Sequence, residues 1–171
     1  MQHLQYPIGN YQTQPFSEAQ KNKWLQEIQF LPSDLEAAIE NMDAALLAKP
    51  YRPGGWSSIQ VVHHVADSHM NAYTRFKLGV TENNPTIKPY LEQEWALLHD
   101  VNTVPINISI TLLYALHTRL HKFLVSLTTA QWQRTIVHPQ HGKQLTLWHL
   151  LGLYAWHGKH HTAHVLLVKN G

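Results

Sequence analysis

The feature that most constrains the fold is a row of apolar residues at helical spacing. Leu112, Leu113, Leu116, Leu120, Phe123 and Leu127 recur every three or four positions. A helix turns about 100° per residue, so this row lines one face and predicts a helix over 108–127. The same period returns in three other stretches. Ser17-Glu18-Ala19-Gln20 fits a capping box and opens a helix whose stripe is Trp24, Leu25, Ile28 and Leu31. Pro32 is expected to break or bend it. Ser33-Asp34-Leu35-Glu36 offers a second box there, and Leu35, Ile39 and Met42 carry the face on to about Leu47. Ser57-Ser58-Ile59-Gln60 begins a helix running to about Val80, and a last one spans about Thr146 to Val168.

The segments between are breakers. Pro50-Tyr51-Arg52-Pro53-Gly54-Gly55 is a loop, and Asn83-Asn84-Pro85 with Pro89 makes a long link, with a short helix expected over 91–98. His138-Pro139-Gln140-His141-Gly142-Lys143 reads as a turn, and residues 1–16, punctuated by Pro7, Gly9 and Pro15, as an irregular arm. No stretch alternates with period two. The expected fold is all-α, a four-helix bundle formed by a single domain over residues 1–171.

Composition narrows the function. Thirteen Lys and Arg stand against 11 Asp and Glu, a net charge of +2 with no basic run, so nucleic acid is not an expected partner. No stretch approaches a membrane span, and the start lacks the regions of a signal peptide. The chain therefore reads as soluble and cytoplasmic, without a membrane partner. Charged residues are only 14% of the chain, which predicts that self-association covers part of the surface. Zero Cys excludes disulfides, Cys-ligated zinc and a thiol nucleophile together.

What remains are 14 His, dense in two places: His63-His64-Val65-Ala66-Asp67-Ser68-His69 and Trp156-His157-Gly158-Lys159-His160-His161-Thr162-Ala163-His164. His157 and His161 are four apart and share the apolar face with Leu150, Tyr154, Val165 and Val168. Two inward imidazoles one turn apart suit one metal ion, since neutral imidazole is the commonest metal ligand. His160 and His164 fall off the centre of that face and are expected on a solvated or interface side, with His164 near enough to donate to a ligand from outside. His117 and His121 are a reserve pair. The third ligand is expected from the earlier cluster, on the second helix. His64 heads a polar stripe with Ser68, Asn71 and Arg75, and His63 shares its side with Asp67 and Met70; periodicity leaves both histidines open. Asp67 is placed to accept from a ligand imidazole. Ser68, Asn71, Arg75 and Tyr154 are pocket candidates by face. No nucleophile elbow, phosphate loop or dinucleotide fingerprint is present.

Longer motifs carry a resemblance. Tyr51-Arg52-Pro53-Gly54-Gly55-Trp56-Ser57, the run from Gln60 to Asn71, Arg75-Phe76-Lys77-Leu78, Pro85-Thr86-Ile87-Lys88-Pro89-Tyr90, the run from Gly152 to His164 and Tyr6-Pro7-Ile8-Gly9 resemble the YfiT group of the DinB-like superfamily. The resemblance covers nearly the whole chain. It implies a four-helix bundle and a homodimer, with one divalent transition metal ion per chain, zinc or nickel. By motif the ligands are His64, His157 and His161. One local difference is His164, where many members of the wider superfamily have Gln after an Arg-Gly step.

Three histidines without a fourth protein ligand form an open, catalytic type of site. A bound divalent ion there brings water toward neutrality as a hydroxide nucleophile. The expected function is thus a metal-dependent hydrolase acting on a small-molecule substrate. The alternatives are transfer of a low-molecular-weight thiol of the bacillithiol kind, as in the wider superfamily, and metal binding without catalysis.

Overall fold

A computed structural model describes residues 2–139 and 142–171. Four long helices dominate: α2 (Glu18–Ile39), α4 (Ser58–Thr81), α7 (Ile106–Val125) and α9 (Leu147–Asn170). Short helices α1 (Gln2–Gln5), α3 (Ala44–Leu47), α5 (Glu92–Trp95), α6 (His99–Thr103) and α8 (Thr129–Trp132) join them. One hairpin, β1 (Thr135–His138) and β2 (Lys143–Thr146), pairs Ile136 with Leu145 in antiparallel register. Gln140 and His141, within the expected 138–143 turn, lie outside the described residues.

The caps explain why the helices start where they do. Ser57 and Gln60 close a complete capping box, each side chain bonding the other's backbone N–H. The Ser17 and Thr146 side chains accept from Gln20 N and His149 N.

Pro32 does not break α2, which runs through it without interruption. Proline has no N–H for the carbonyl four residues back, here that of Ile28. That carbonyl accepts instead from Nδ1 of His117 on α7. A partner from the neighbouring helix replaces the lost bond, and the expected second cap dissolves: the Ser33 hydroxyl donates to the Phe30 carbonyl. The hairpin is the other departure from the expected all-helical pattern. Strands of four residues are too short to show a period of two, yet Ile136 is fully buried, and the hairpin docks through Ile87 N to Val137 O. The arm also contains the short α1 rather than being irregular throughout.

α2 and α4 each pack against both α7 and α9. Neighbouring contacts fix the directions. α9 runs with α2, since Trp24 meets Gly152 and Leu31 meets Gly158. It runs against α4, since Gly79 meets Leu147 and Arg75 bonds Tyr154. A Cβ on Gly152 would come within 2.6 Å of Trp24, and one on Gly158 within 2.6 Å of Leu31, so these glycines set how closely α2 and α9 approach.

The interior divides into two apolar clusters. One joins Trp24, Ile28, Phe76, Leu120, Trp132, Leu147 and Leu151; the other joins Leu31, Leu35, Val62, Val65, Leu113 and Val165. On α4, α7 and α9 the stretch between the clusters carries His69, His117 and the span from His157 to His161. A layer of imidazoles therefore crosses the bundle at its waist. Among the described residues no helix is long and apolar enough to cross a membrane.

Candidate metal centre

His64 of α4 and His157 and His161 of α9 meet where these antiparallel helices face each other. One ring nitrogen from each lies within 4.8 Å of the others. Nε2 of His64 and Nε2 of His157 are 3.1 Å apart. The rings of His157 and His161, one helical turn apart, have centroids separated by 4.5 Å. His63 is turned away. Its Nδ1 meets Ser109 Oγ at 2.8 Å and its Nε2 meets the Val104 carbonyl at 3.2 Å, so neither nitrogen is left to ligate.

Burial makes these imidazoles poor bases. It pushes His157 and His161 well below the usual histidine range, with neighbouring imidazoles adding to the effect. It brings His64 down to about 4. The charged form loses its hydration in such surroundings, so the neutral form, with a free lone pair, prevails at pH 7.

Each α9 histidine has an imidazole behind it. Nδ1 of His157 lies 3.4 Å from Nε2 of His69, and Nδ1 of His161 lies 3.4 Å from Nδ1 of His164. Nε2 of His164 in turn lies 3.2 Å from the Gln5 carbonyl. If Nε2 of His157 and of His161 faces the site, each Nδ1–H donates outward and both tautomers are fixed. His164 is therefore an acceptor behind His161, not a donor. His69, which the sequence left without a role, is its counterpart behind His157.

His160 and His164 are buried, not solvated as expected. The arm folds over this part of α9 and covers them. His160 stacks on Trp156 at 4.5 Å, with Tyr6 beyond it. His160, His161 and His164 are a second group with ring nitrogens within 4.8 Å of one another. Both nitrogens of His164 already have partners, so this group acts as outer support for the first.

The three rings open onto a cleft of about 280 Å³. Its walls come from the arm (Gln5, Tyr6), the loop before α4 (Tyr51, Arg52, Trp56) and the start of α5 (Glu92, Gln93). Trp56 packs against His64 at 4.6 Å and is held by Gln93 Oε1. Tyr51 stacks on His164 at 3.9 Å. The sequence read 50–55 only as a loop. Its position just before the cap of α4 is the signal that it must lie beside His64, less than two turns into that helix.

The residues expected on the polar stripe of α4 lie elsewhere. Asn71 bonds the Asp67 carbonyl and faces a separate pocket with Lys88 and Tyr90. Arg75 donates to the Tyr154 hydroxyl at 2.7 Å, and neither lines the cleft. Ser68 is buried beside Tyr90. Asp67 does not receive a bond from any of the three imidazoles; burial and the nearby Asp100 raise its carboxyl to about 6. The stripe was measured around His64 alone, and the cleft opens toward the start of the helix. His117, buried against Ile28, and the half-buried His121 do not form a site.

The DinB superfamily matches residues 27–165 of the chain. A Bacillus cereus (strain 03BB102) protein named "Putative metal-dependent hydrolase" is 49% identical over 170 residues, which is 99% of this chain and 97% of the relative. Proteins of the same description from Bacillus thuringiensis subsp. konkukian and Bacillus mycoides match to the same extent. Among solved structures, YfiT from Bacillus subtilis superimposes with a TM-score of 0.96 at 45% identity, covering 98% of this chain and 97% of that one. It is described as a probable metal-dependent hydrolase with an unusual four-helix bundle topology.

Proposed function

The chain belongs to the DinB superfamily, and from that premise we propose that it is a metal-dependent hydrolase of small molecules. In this reading His64, His157 and His161 hold one divalent transition metal ion, zinc or nickel, and imidazole suits both. One observation carries the proposal: three ring nitrogens, on the buried His64 and His161 and the half-buried His157, converge within 4.8 Å at the floor of an open cleft, and among the described residues no carboxylate and no fourth histidine joins the group. Two nitrogens 3.1 Å apart, neither facing a backbone acceptor, fit a shared cation. Such an ion supplies Lewis acidity and makes water acidic enough to act as a nucleophile near neutral pH.

The chain's own residues do the rest. Burial keeps the three imidazoles neutral, so no proton must leave before they bind. His69 and His164 accept from the outward Nδ1–H groups of His157 and His161 and hold the rings in place. The Gln5 carbonyl completes the second of these chains. Trp56 and Tyr51 shield the rings from bulk water on the loop side.

The test uses protein loaded with zinc or nickel and a panel of small esters and amides. Turnover without any thiol, absent after metal removal and restored by metal, is the expected result. Turnover that needs an added low-molecular-weight thiol overturns the hydrolase reading in favour of thiol transfer. A metal-loaded protein inert to the panel both with and without added thiol reduces the site to metal binding.

A further inference from the structure

Arg52 stands on the wall of the same cleft, and the metal ligands make no use of it. Its Nη1 donates to the Pro53 carbonyl at 3.1 Å, which anchors one corner of the guanidinium. Its Nε is buried and has no acceptor. Among the described residues Nη2 has no hydrogen-bond partner either, and the ion pairs found, Lys21 with Glu18 and Lys159 with Glu27, do not involve Arg52. A buried donor on a charged group is costly to leave without an acceptor.

The loop is built around this side chain. The guanidinium carbon lies 5.5 Å from the centre of the Tyr51 ring. A Cβ on Gly55 would come within 2.8 Å of Arg52 Cγ and 3.2 Å of the Tyr51 ring, so only glycine leaves room for both. His164, the nearest imidazole beyond Tyr51, has its own two nitrogens satisfied and cannot serve as the acceptor. Glu92, the acidic group on the cleft wall, interacts with Arg75 instead.

The geometry points to Arg52 as an oxyanion-recognition residue. Its Nε–Nη2 edge, two parallel N–H donors on one planar group, receives a carboxylate or phosphate of the substrate in the bidentate manner that guanidinium favours. The substrate class is therefore a small molecule with an oxyanion at one end and its reactive bond at the other. The first end is held by Arg52, and the second lies at His64, His157 and His161. The assignment of the second end rests on the hydrolase reading; the anion site itself does not.

The experiment titrates metal-free protein with acetate, inorganic phosphate and neutral acetamide at constant ionic strength. The arginine Nε–H resonance of Arg52 is followed by NMR in the wild type and in His157→Ala, and binding to the Arg52 variants, which lack that resonance, is measured beside the wild type by isothermal titration calorimetry. Acetate or phosphate should shift it saturably and acetamide should not; which of the two binds tighter identifies the anion. Arg52→Gln should weaken that binding at least tenfold, while Arg52→Lys, which keeps the charge but not the fork, falls between. Metal content of both variants, measured by mass spectrometry, should equal that of the wild type. A wild-type resonance unmoved by either anion, or anion binding by Arg52→Gln as tight as by wild type, overturns the proposal. Arg52→Lys supplies the same comparison should Arg52→Gln fail to fold. His157→Ala separates the two readings: it should lose metal and keep the anion response.

Discussion

The histidine layer has an open end and a sealed end, and the same residue type serves opposite purposes at the two. At the open end, nitrogens of His64, His157 and His161 converge on a cleft. At the sealed end, His69 and His117 stack at 4.9 Å, and one nitrogen of each, Nδ1 of His69 and Nε2 of His117, is buried without a partner. Burial depresses the basicity of the imidazoles at both ends. What differs is whether the ring nitrogens converge on one another or are turned to the backbone and to outer support. His117 spends its Nδ1–H on the Ile28 carbonyl that Pro32 leaves free, which is a structural task. Depressed basicity therefore does not distinguish a candidate ligand from a structural histidine; convergence of its nitrogens with others is the feature that separates the two ends.

The comparison breaks first if metal content does not follow it. His157→Ala or His161→Ala should lose nearly all bound metal, while His117→Ala keeps it, as read by elemental analysis of dialysed protein. Metal retained by both ligand variants would place the site elsewhere. His69 joins the two ends, and His69→Ala should weaken metal affinity about 10–100-fold, the usual cost of losing an outer partner, measured by chelator competition.

The sealed end sets a pH dependence of its own. Burial brings His117 down to about 4 from an ordinary value near 6.5. The unfolded chain binds that proton first, so this stability is intact above pH 6.5 and is lost as the pH falls toward 4. The full window corresponds to roughly 3 kcal/mol. Urea unfolding of metal-free protein at pH 7 and pH 5 should show the loss, and His117→Leu should shrink the gap. His117→Leu also strands the Ile28 carbonyl, and Pro32→Ala, which restores an N–H to it, should recover about 1 kcal/mol. Smallest of all, Ser33→Ala should change stability by less than about 0.5 kcal/mol, because Ser33 lies inside a helix and not at a cap.

Much of the fold is legible from periodicity and caps. α4, α7 and α9 fall within about two residues of their expected ends, because Ser57 and Thr146 combine a cap with the start of an apolar stripe. From sequence Pro32 reads as an interruption, because a sequence shows only the bond proline lacks, not the imidazole on another helix that replaces it. The His157 and His161 face was legible because both residues lie on one helix. His63 or His64 stayed open because the choice depends on Ser109 and the Val104 carbonyl, more than forty residues away. The cleft walls were illegible for the same reason: Tyr6, Arg52 and Trp156 belong to three separate segments.

The arm has a consequence for how the chain is made. Tyr11 bonds the His149 carbonyl, the Gln14 carbonyl accepts from Trp148, the Gly9 carbonyl from Trp156 and the Gln5 carbonyl from His164. Residues 5–14 and α9, more than 130 positions apart in the chain, thus clasp each other. Until α9 emerges, two of the three converging nitrogens do not exist and the arm has nothing to lie on. A chain that stops short of α9 carries only His64 of the three, so the convergence of nitrogens belongs to the assembled bundle alone.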